Sequence, residues 1–245
     1  MCYGDDALAP FPPIRGGADD RGDLVLESAD GTKFGAYYAH PDTPSTRAVV
    51  ILPDVRGLHN FYKDLAVRFA EASLHAVAID YFGRTAGIGA RGEDFSFREH
   101  VDQMAYKNVD ADVAAAVGWL KALPGVKVDA VFAVGFCLGG AQSWHQSAAG
   151  HGLKGCVGFY GPPQRIEDMW KDMRVPCLLL AAGNDTHLLE PAQQMVATLE
   201  ANGVEAELHV YEGAPHSFFD RTFDENQDAC DDAWRRVLAF FDAHA

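Results

Sequence analysis

At 245 residues the chain is long enough to bury a large core, and with 48% hydrophobic and 22% charged residues it has the composition of a soluble globular protein. A formal charge of −15 repels nucleic-acid phosphate and anionic membrane surfaces, which excludes both as principal partners. No apolar run approaches the roughly 20 residues of a membrane span.

Residues 1–22 read as an irregular arm. The start, MCYGDDALAPFPPIRG, is acidic and proline-rich and lacks the basic-then-apolar pattern of a signal peptide. The five cysteines, Cys2, Cys137, Cys156, Cys177 and Cys230, are odd in number and lack CxxC or zinc-type spacing. They read as reduced thiols in a cytoplasmic compartment. DLVLES and KFGAYYAH, joined across Asp30-Gly31, predict an antiparallel hairpin. Short apolar runs then predict strands over 48–53, 75–80, 130–135, 156–161, 177–183 and 207–212. Amphipathic stretches predict helices over 62–73, 99–122, 138–149, 191–202 and 226–243, with Pro191 in the first turn of its helix. Continuous apolar strands alternating with helices mean an α/β fold, a mostly parallel sheet with helices on both faces. No repeat or linker interrupts it, so the reading is one domain over 1–245.

One stretch carries chemistry. Gly135-Phe136-Cys137-Leu138-Gly139-Gly140 follows the strand AVFAV and opens the helix AQSWHQSAA. A sharp strand-to-helix turn needs small residues around its apex and exposes the apex side chain above the sheet, which is the physics of a nucleophile elbow. It also puts Cys137 at a helix N-terminus, where the dipole favours thiolate. The competing reading is an inert buried cysteine. Two later strand ends weigh against it. GNDTH delivers Asp185 after one strand and APHSF delivers His216 after the next, in the order nucleophile, acid, base. Cys137, Asp185 and His216 are the candidate triad, with His216 as base and Asp185 holding its tautomer. The N–H groups of Leu138 and of Val55, in the loop after the 48–53 strand, are the candidate oxyanion donors.

GFCLGG, GNDTH, APHSF and LPDVRGL, in that order from about residue 24 onward, resemble the dienelactone hydrolase family of α/β-hydrolases. The resemblance implies the α/β-hydrolase fold and a cysteine hydrolase of small esters or lactones that passes through a thioester, with no cofactor. It also implies that Asp54 stands where relatives place a glutamate that partners the thiol. Asp102 and Asp220 stand where relatives place two carboxylate-binding arginines, so neutral substrates are expected to be preferred over anionic ones. Tyr106, Arg56 and Arg84 are further candidates for the substrate cleft.

No metal is expected, because Asp185, His187 and His216 lack ligand spacing on one helix. The glycines fit neither a dinucleotide nor a P-loop fingerprint. The expected partner is a small ester or lactone, on a monomer or weak homodimer. Two alternatives remain open. The same triad could attack a thioester or phosphotriester, or the chain could be a ligand-binding or redox-sensing relative without turnover.

Overall fold

A computed structural model of the chain describes residues 6–245, so Cys2 lies outside the described residues. β1 (Ala18–Glu27) and β2 (Lys33–Pro41) form the opening hairpin, with Leu26 opposite Phe34. Its turn follows from two residues. Gly31 sits at φ 81°, and Asp30 Oδ1 accepts the Thr32 N–H at 3.0 Å. The arm is shorter than 1–22, because pairing with β2 already begins at Ala18. β1 is an edge strand open to solvent, so Asp19, Asp20 and Arg21 need no burial to join it.

Next in the chain come β3 (Arg47–Leu52), α1 (Asn60–Glu71), β4 (His75–Ile79), the short α2 (Gly83–Ala86) and α3 (Arg98–Asp102). After them come α4 (Tyr106–Lys121), β5 (Ala130–Phe136), α5 (Leu138–Ala149), β6 (Gly155–Phe159), β7 (Cys177–Ala182), α6 (Thr186–Ala201), β8 (Ala206–Tyr211) and α7 (Gln227–His244). The eight strands form one sheet in the order β1-β2-β4-β3-β5-β6-β7-β8. β2 runs antiparallel to both β1 and β4, and every other neighbouring pair is parallel.

Both faces are covered, and the alternation along single strands shows how. Val49 and Ile51 of β3, with Phe132, Val134 and Phe136 of β5, pack under α1 and α7 against Phe61, Leu65, Trp234 and Phe241. Ala48, Val50 and Leu52, with Val131 and Ala133, pack on the other face against α4, α5 and α6, through Val113, Trp144 and Met195.

Two helix expectations are corrected. The stretch 99–122 divides into α3 and α4, because the chain leaves helical geometry after Asp102 and Ala105 is extended at φ −114°, ψ 132°. α6 starts at Thr186, not at Pro191, which lies inside it. A proline there removes the N–H that would bond the carbonyl four residues back, that of His187. Gln164 Nε2 donates to that carbonyl instead, at 3.3 Å. A 3-10 helix over Pro163–Asp172, after β6, was not signalled by periodicity. No helix among the described residues is long and apolar enough to cross a membrane. β3, β5, β7 and β8 all end on one edge of the sheet, so the residues that follow them share one side of the molecule.

Candidate active site

Cys137 joins β5 to α5 with φ 52° and ψ −116°, a backbone conformation that costs a non-glycine residue on the order of 1–3 kcal/mol. The neighbouring glycines explain how the chain tolerates it. A Cβ on Gly135 would lie 1.8 Å from the Gly139 carbonyl oxygen, and one on Gly139 would lie 2.1 Å from Leu52 O and 2.2 Å from Pro53 O. A Cβ on Gly140 would meet Phe159 O at 2.8 Å. The missing side chains let the start of α5 press against the ends of β3 and β6. Cys137 N–H donates to Phe159 O at 3.0 Å, which pins the apex, and its side chain is half-buried.

That close approach brings the loop after β3 beside the start of α5. Leu138 is the first residue of α5, so its N–H has no acceptor within the helix. The β3–α1 loop is fixed on all sides. Asp54 N–H donates to the Tyr62 hydroxyl at 3.0 Å. Asp54 Oδ1 accepts the Arg56 N–H at 2.9 Å, and Gly57, at φ 71°, donates its N–H to Asp54 O at 3.1 Å. The buried Tyr81 hydroxyl lies 2.5 Å from Pro53 O and 2.7 Å from Asp54 O and shares its proton between them. With the Asp54 carbonyl turned to Tyr81, the peptide that carries the Val55 N–H is held in one orientation.

His216 and Asp185 meet across the ends of β8 and β7, with His216 Nδ1 at 2.5 Å from Asp185 Oδ2. Burial works against the charge of the ring. The hydrogen bonds and charges of Asp185 and Cys137 outweigh it and push the imidazole up to about 10. The sign follows. A histidine raised above its ordinary 6.5 contributes stability that is complete below that pH and is lost as pH rises through about 10. Cys137→Ala removes one of the two supporting groups, so the His216 ring should titrate closer to 6.5 in that variant. Imidazole NMR across pH measures this directly, and an unmoved titration would show that the sulfur does not act on the ring.

The other sequence candidates divide. Asp54 is 1% exposed and Arg56 is 4% exposed, so both belong to the interior of the loop and neither forms an open rim. Tyr106 opens α4, half-buried, with its ring 4.7 Å from that of His145 and its hydroxyl donating to Arg165 O at 2.5 Å. Arg84 is corrected. Its guanidinium is held by Asp112 at 2.8 Å, Asp30 at 2.6 Å and Thr32 at 2.8 Å, which ties α2 to the β1–β2 turn and α4. A cation engaged by two carboxylates is withdrawn from substrate binding. The expected repulsion of anionic substrates also loses half its basis, because Asp220 is 1% exposed and bonded to the Tyr160 hydroxyl at 3.0 Å. Asp102 is exposed at the end of α3.

Three residues of the site had no signal in the sequence. Tyr81 props the loop after β3 from a different strand end. Tyr160 follows β6 at φ 37°, with its ring 5.0 Å from that of His216. Arg165 is an exposed cation in the 3-10 helix after β6, and its charge is felt by the hydroxyls of Tyr81 and Tyr106. The aromatic run FYGPP that precedes it reads only as strand and turn.

Known proteins share this arrangement of elements. The model of the dienelactone hydrolase family matches residues 34–245. The carboxymethylenebutenolidase of Pseudomonas putida is 29% identical over 206 residues, which cover 80% of this chain and 84% of that one. A crystal structure of a candidate dienelactone hydrolase from Klebsiella pneumoniae subsp. pneumoniae MGH 78578 superposes with a TM-score of 0.75 at 26% identity, covering 91% of this chain and 99% of its own. A dienelactone hydrolase-like promiscuous phosphotriesterase from metagenomic libraries has the same fold, with a TM-score of 0.76 at 22% identity over 93% of this chain and 99% of its own.

Proposed function

Because the chain belongs to the dienelactone hydrolase family, we propose that it hydrolyses small carboxylic esters or lactones with Cys137 as nucleophile, through a thioester. The observation that carries this reading is the strained backbone of Cys137 at the start of α5, with His216 and Asp185 paired at 2.5 Å beside it.

The steps follow from the charges. His216, raised to about 10, is an imidazolium at neutral pH, and it supports the thiolate form of its neighbour. The Cys137 sulfur attacks the substrate carbonyl carbon, and the carbonyl electron pair moves to oxygen. The N–H groups of Leu138 and Val55 are the donors for that oxyanion. As the intermediate collapses, the C–O bond to the leaving group breaks and His216 gives its Nε2 proton to the departing oxygen. The product is a thioester on Cys137. A water molecule then loses a proton to His216, attacks the thioester carbonyl and expels the thiolate, which releases the acid and regenerates the starting pair. Asp185 keeps the Nδ1 proton in place throughout.

The substrate is a small molecule, and we propose that the chain acts as a monomer or weak homodimer built as a single domain. The five cysteines, odd in number and without CxxC or zinc-type spacing, favour a reducing compartment, and we place the protein in the cytoplasm. Turnover of p-nitrophenyl acetate tests the reading, since a binding or sensing relative gives at most one equivalent of p-nitrophenol per chain.

Substrate charge is expected to be read by Arg165. An exposed ion pair is worth about 0.2–1 kcal/mol, a factor of about 1.4 to 5. Arg165→Ala should therefore lower turnover of a p-nitrophenyl hemisuccinate by about that factor while acetate turnover stays level. An unchanged ratio of the two esters would remove Arg165 from the cleft.

A further inference from the structure

One buried acid has no part in the steps above. Asp220 lies four residues beyond His216, in a turn that begins at Ser217 with φ 63°. The N–H groups of Asp220, Arg221 and Thr222 all donate to Ser217 O, at 3.3, 2.9 and 3.3 Å. The Asp220 carboxylate is approached from two elements. The Tyr160 hydroxyl donates to Oδ2 at 3.0 Å. The Arg221 N–H donates to Oδ1 at 2.5 Å, and the Ser217 side chain adds a third hydrogen bond.

Tyr160 is the link to the reacting groups. It is 2% exposed and sits at φ 37°, a position that strains a bulky residue by on the order of 1–3 kcal/mol. Its ring packs 5.0 Å from that of His216 and 5.5 Å, edge-on, from that of Phe218. The hydroxyl of a buried tyrosine needs a partner, and Asp220 is the one it has. Asp220 thus clamps both the turn that carries His216 and the ring that abuts it.

We propose that Asp220 is a positioning residue for His216: through Tyr160 and the turn at Ser217 it fixes the imidazole plane against Cys137. The proposal rests on the reading of Cys137, His216 and Asp185 as the reacting groups, and it adds a residue on which their alignment depends.

The clamp is also sensitive to pH. The groups that face Asp220 are Asp54 from the β3–α1 loop, Tyr160 from the end of β6, Ser217 and Arg221 from its own turn, and Cys230 from α7. Burial and the negative charge of Asp54 push its carboxyl up to about 7, against the three donors. The native protein therefore holds a proton between 3.8 and about 7 that the unfolded chain has released. Stability falls as pH rises through that window and levels off above it. Asparagine keeps the acceptor oxygen for Tyr160 and cannot ionise, so Asp220→Asn removes the slope.

The test measures kcat and KM for p-nitrophenyl acetate in Asp220→Ala, Asp220→Asn, Tyr160→Phe and Cys137→Ala, from about pH 5 to about pH 9. Melting temperatures at the two ends accompany the kinetics. Asp220→Ala and Tyr160→Phe should each lose about tenfold or more in kcat with KM changed less than about threefold. Asp220→Asn should recover kcat to within about threefold of the parent, and its gain in melting temperature over the parent should be larger at the alkaline end than at the acid end. An unchanged kcat in Tyr160→Phe, or an Asp220→Asn variant as slow as Asp220→Ala, would overturn the proposal. Activity that survives in Cys137→Ala would instead overturn the triad reading beneath it.

Discussion

Cys137→Ala is expected to lower kcat/KM for an activated ester by about 10³-fold or more, a loss of about 4 kcal/mol in transition-state stabilisation. The protein should stay folded, because the side chain is half-buried and alanine at φ 52° bears the same backbone strain as cysteine. Covalent labelling should select the same residue. Cys156, Cys177 and Cys230 are buried. Burial pushes the Cys156 thiol well above its usual range, and burial with the charges of Asp231 and Asp220 pushes Cys230 up to about 12. Iodoacetamide should therefore alkylate Cys137 well before these three and abolish turnover in proportion. Turnover unchanged in Cys137→Ala would mean that the substrate is attacked by water or by another group.

Gly139→Ala should be nearly as damaging, by a different route. The new methyl would stand 2.1 Å from Leu52 O and 2.2 Å from Pro53 O, both backbone atoms that cannot swing away as a flexible side chain can. Relief requires α5 to retreat from the end of β3. Overpacking of this kind costs about 1–3 kcal/mol and sometimes more. For a chain of this size that is a fall in melting temperature of about 2–12 °C. The retreat also separates the Leu138 and Val55 N–H groups, and loss of one oxyanion donor lowers kcat by about 10²–10³-fold. The expected variant is folded, measurably less stable and nearly inactive. Full activity with a lowered melting temperature would show that the two N–H groups do not act together. Gly118, on the exposed side of α4, gives the contrast, since a Cβ there meets nothing within 4 Å.

The two glycine positions also show what a sequence can reveal. Gly135 and Gly139 flank Cys137 in any reading of the hexapeptide, because only a tight strand-to-helix turn requires small residues on both sides of one side chain. Asp185 and His216 were legible for a related reason: Asp185 follows an apolar run that reads as a buried strand, His216 follows the strand-like run ELHVYE, and strands of a parallel sheet end on one edge. α5 was legible to its bounds, since the elbow marks its start and Gly150, at φ 77°, its end. Other features depend on long-range partners. Nothing local ends α3 at Asp102. α6 continues through Pro191 because Gln164, from the segment after β6, serves the carbonyl that the proline leaves without a donor. A tyrosine at positive φ has no local signature, and neither Tyr160 nor its bond to Asp220 can be read from FYGPP and HSFFD. Arg84 shows the reverse error. An arginine just past a strand end is well placed for a cleft until the fold brings Asp30 and Asp112 to it.

The proposed mechanism forms a covalent bond to one sulfur, and mass spectrometry can observe it. Cleavage after lysine releases residues 128–154 as a peptide in which Cys137 is the only cysteine. The enzyme and its His216→Ala variant are mixed with a slowly hydrolysed ester, quenched in acid within the first turnover and digested. The expected result is an acyl mass on that peptide in both proteins, longer-lived in the variant because deacylation needs the imidazole, and absent from Cys137→Ala. Steady release of product without any acyl mass on residues 128–154, undiminished in Cys137→Ala, would contradict the account.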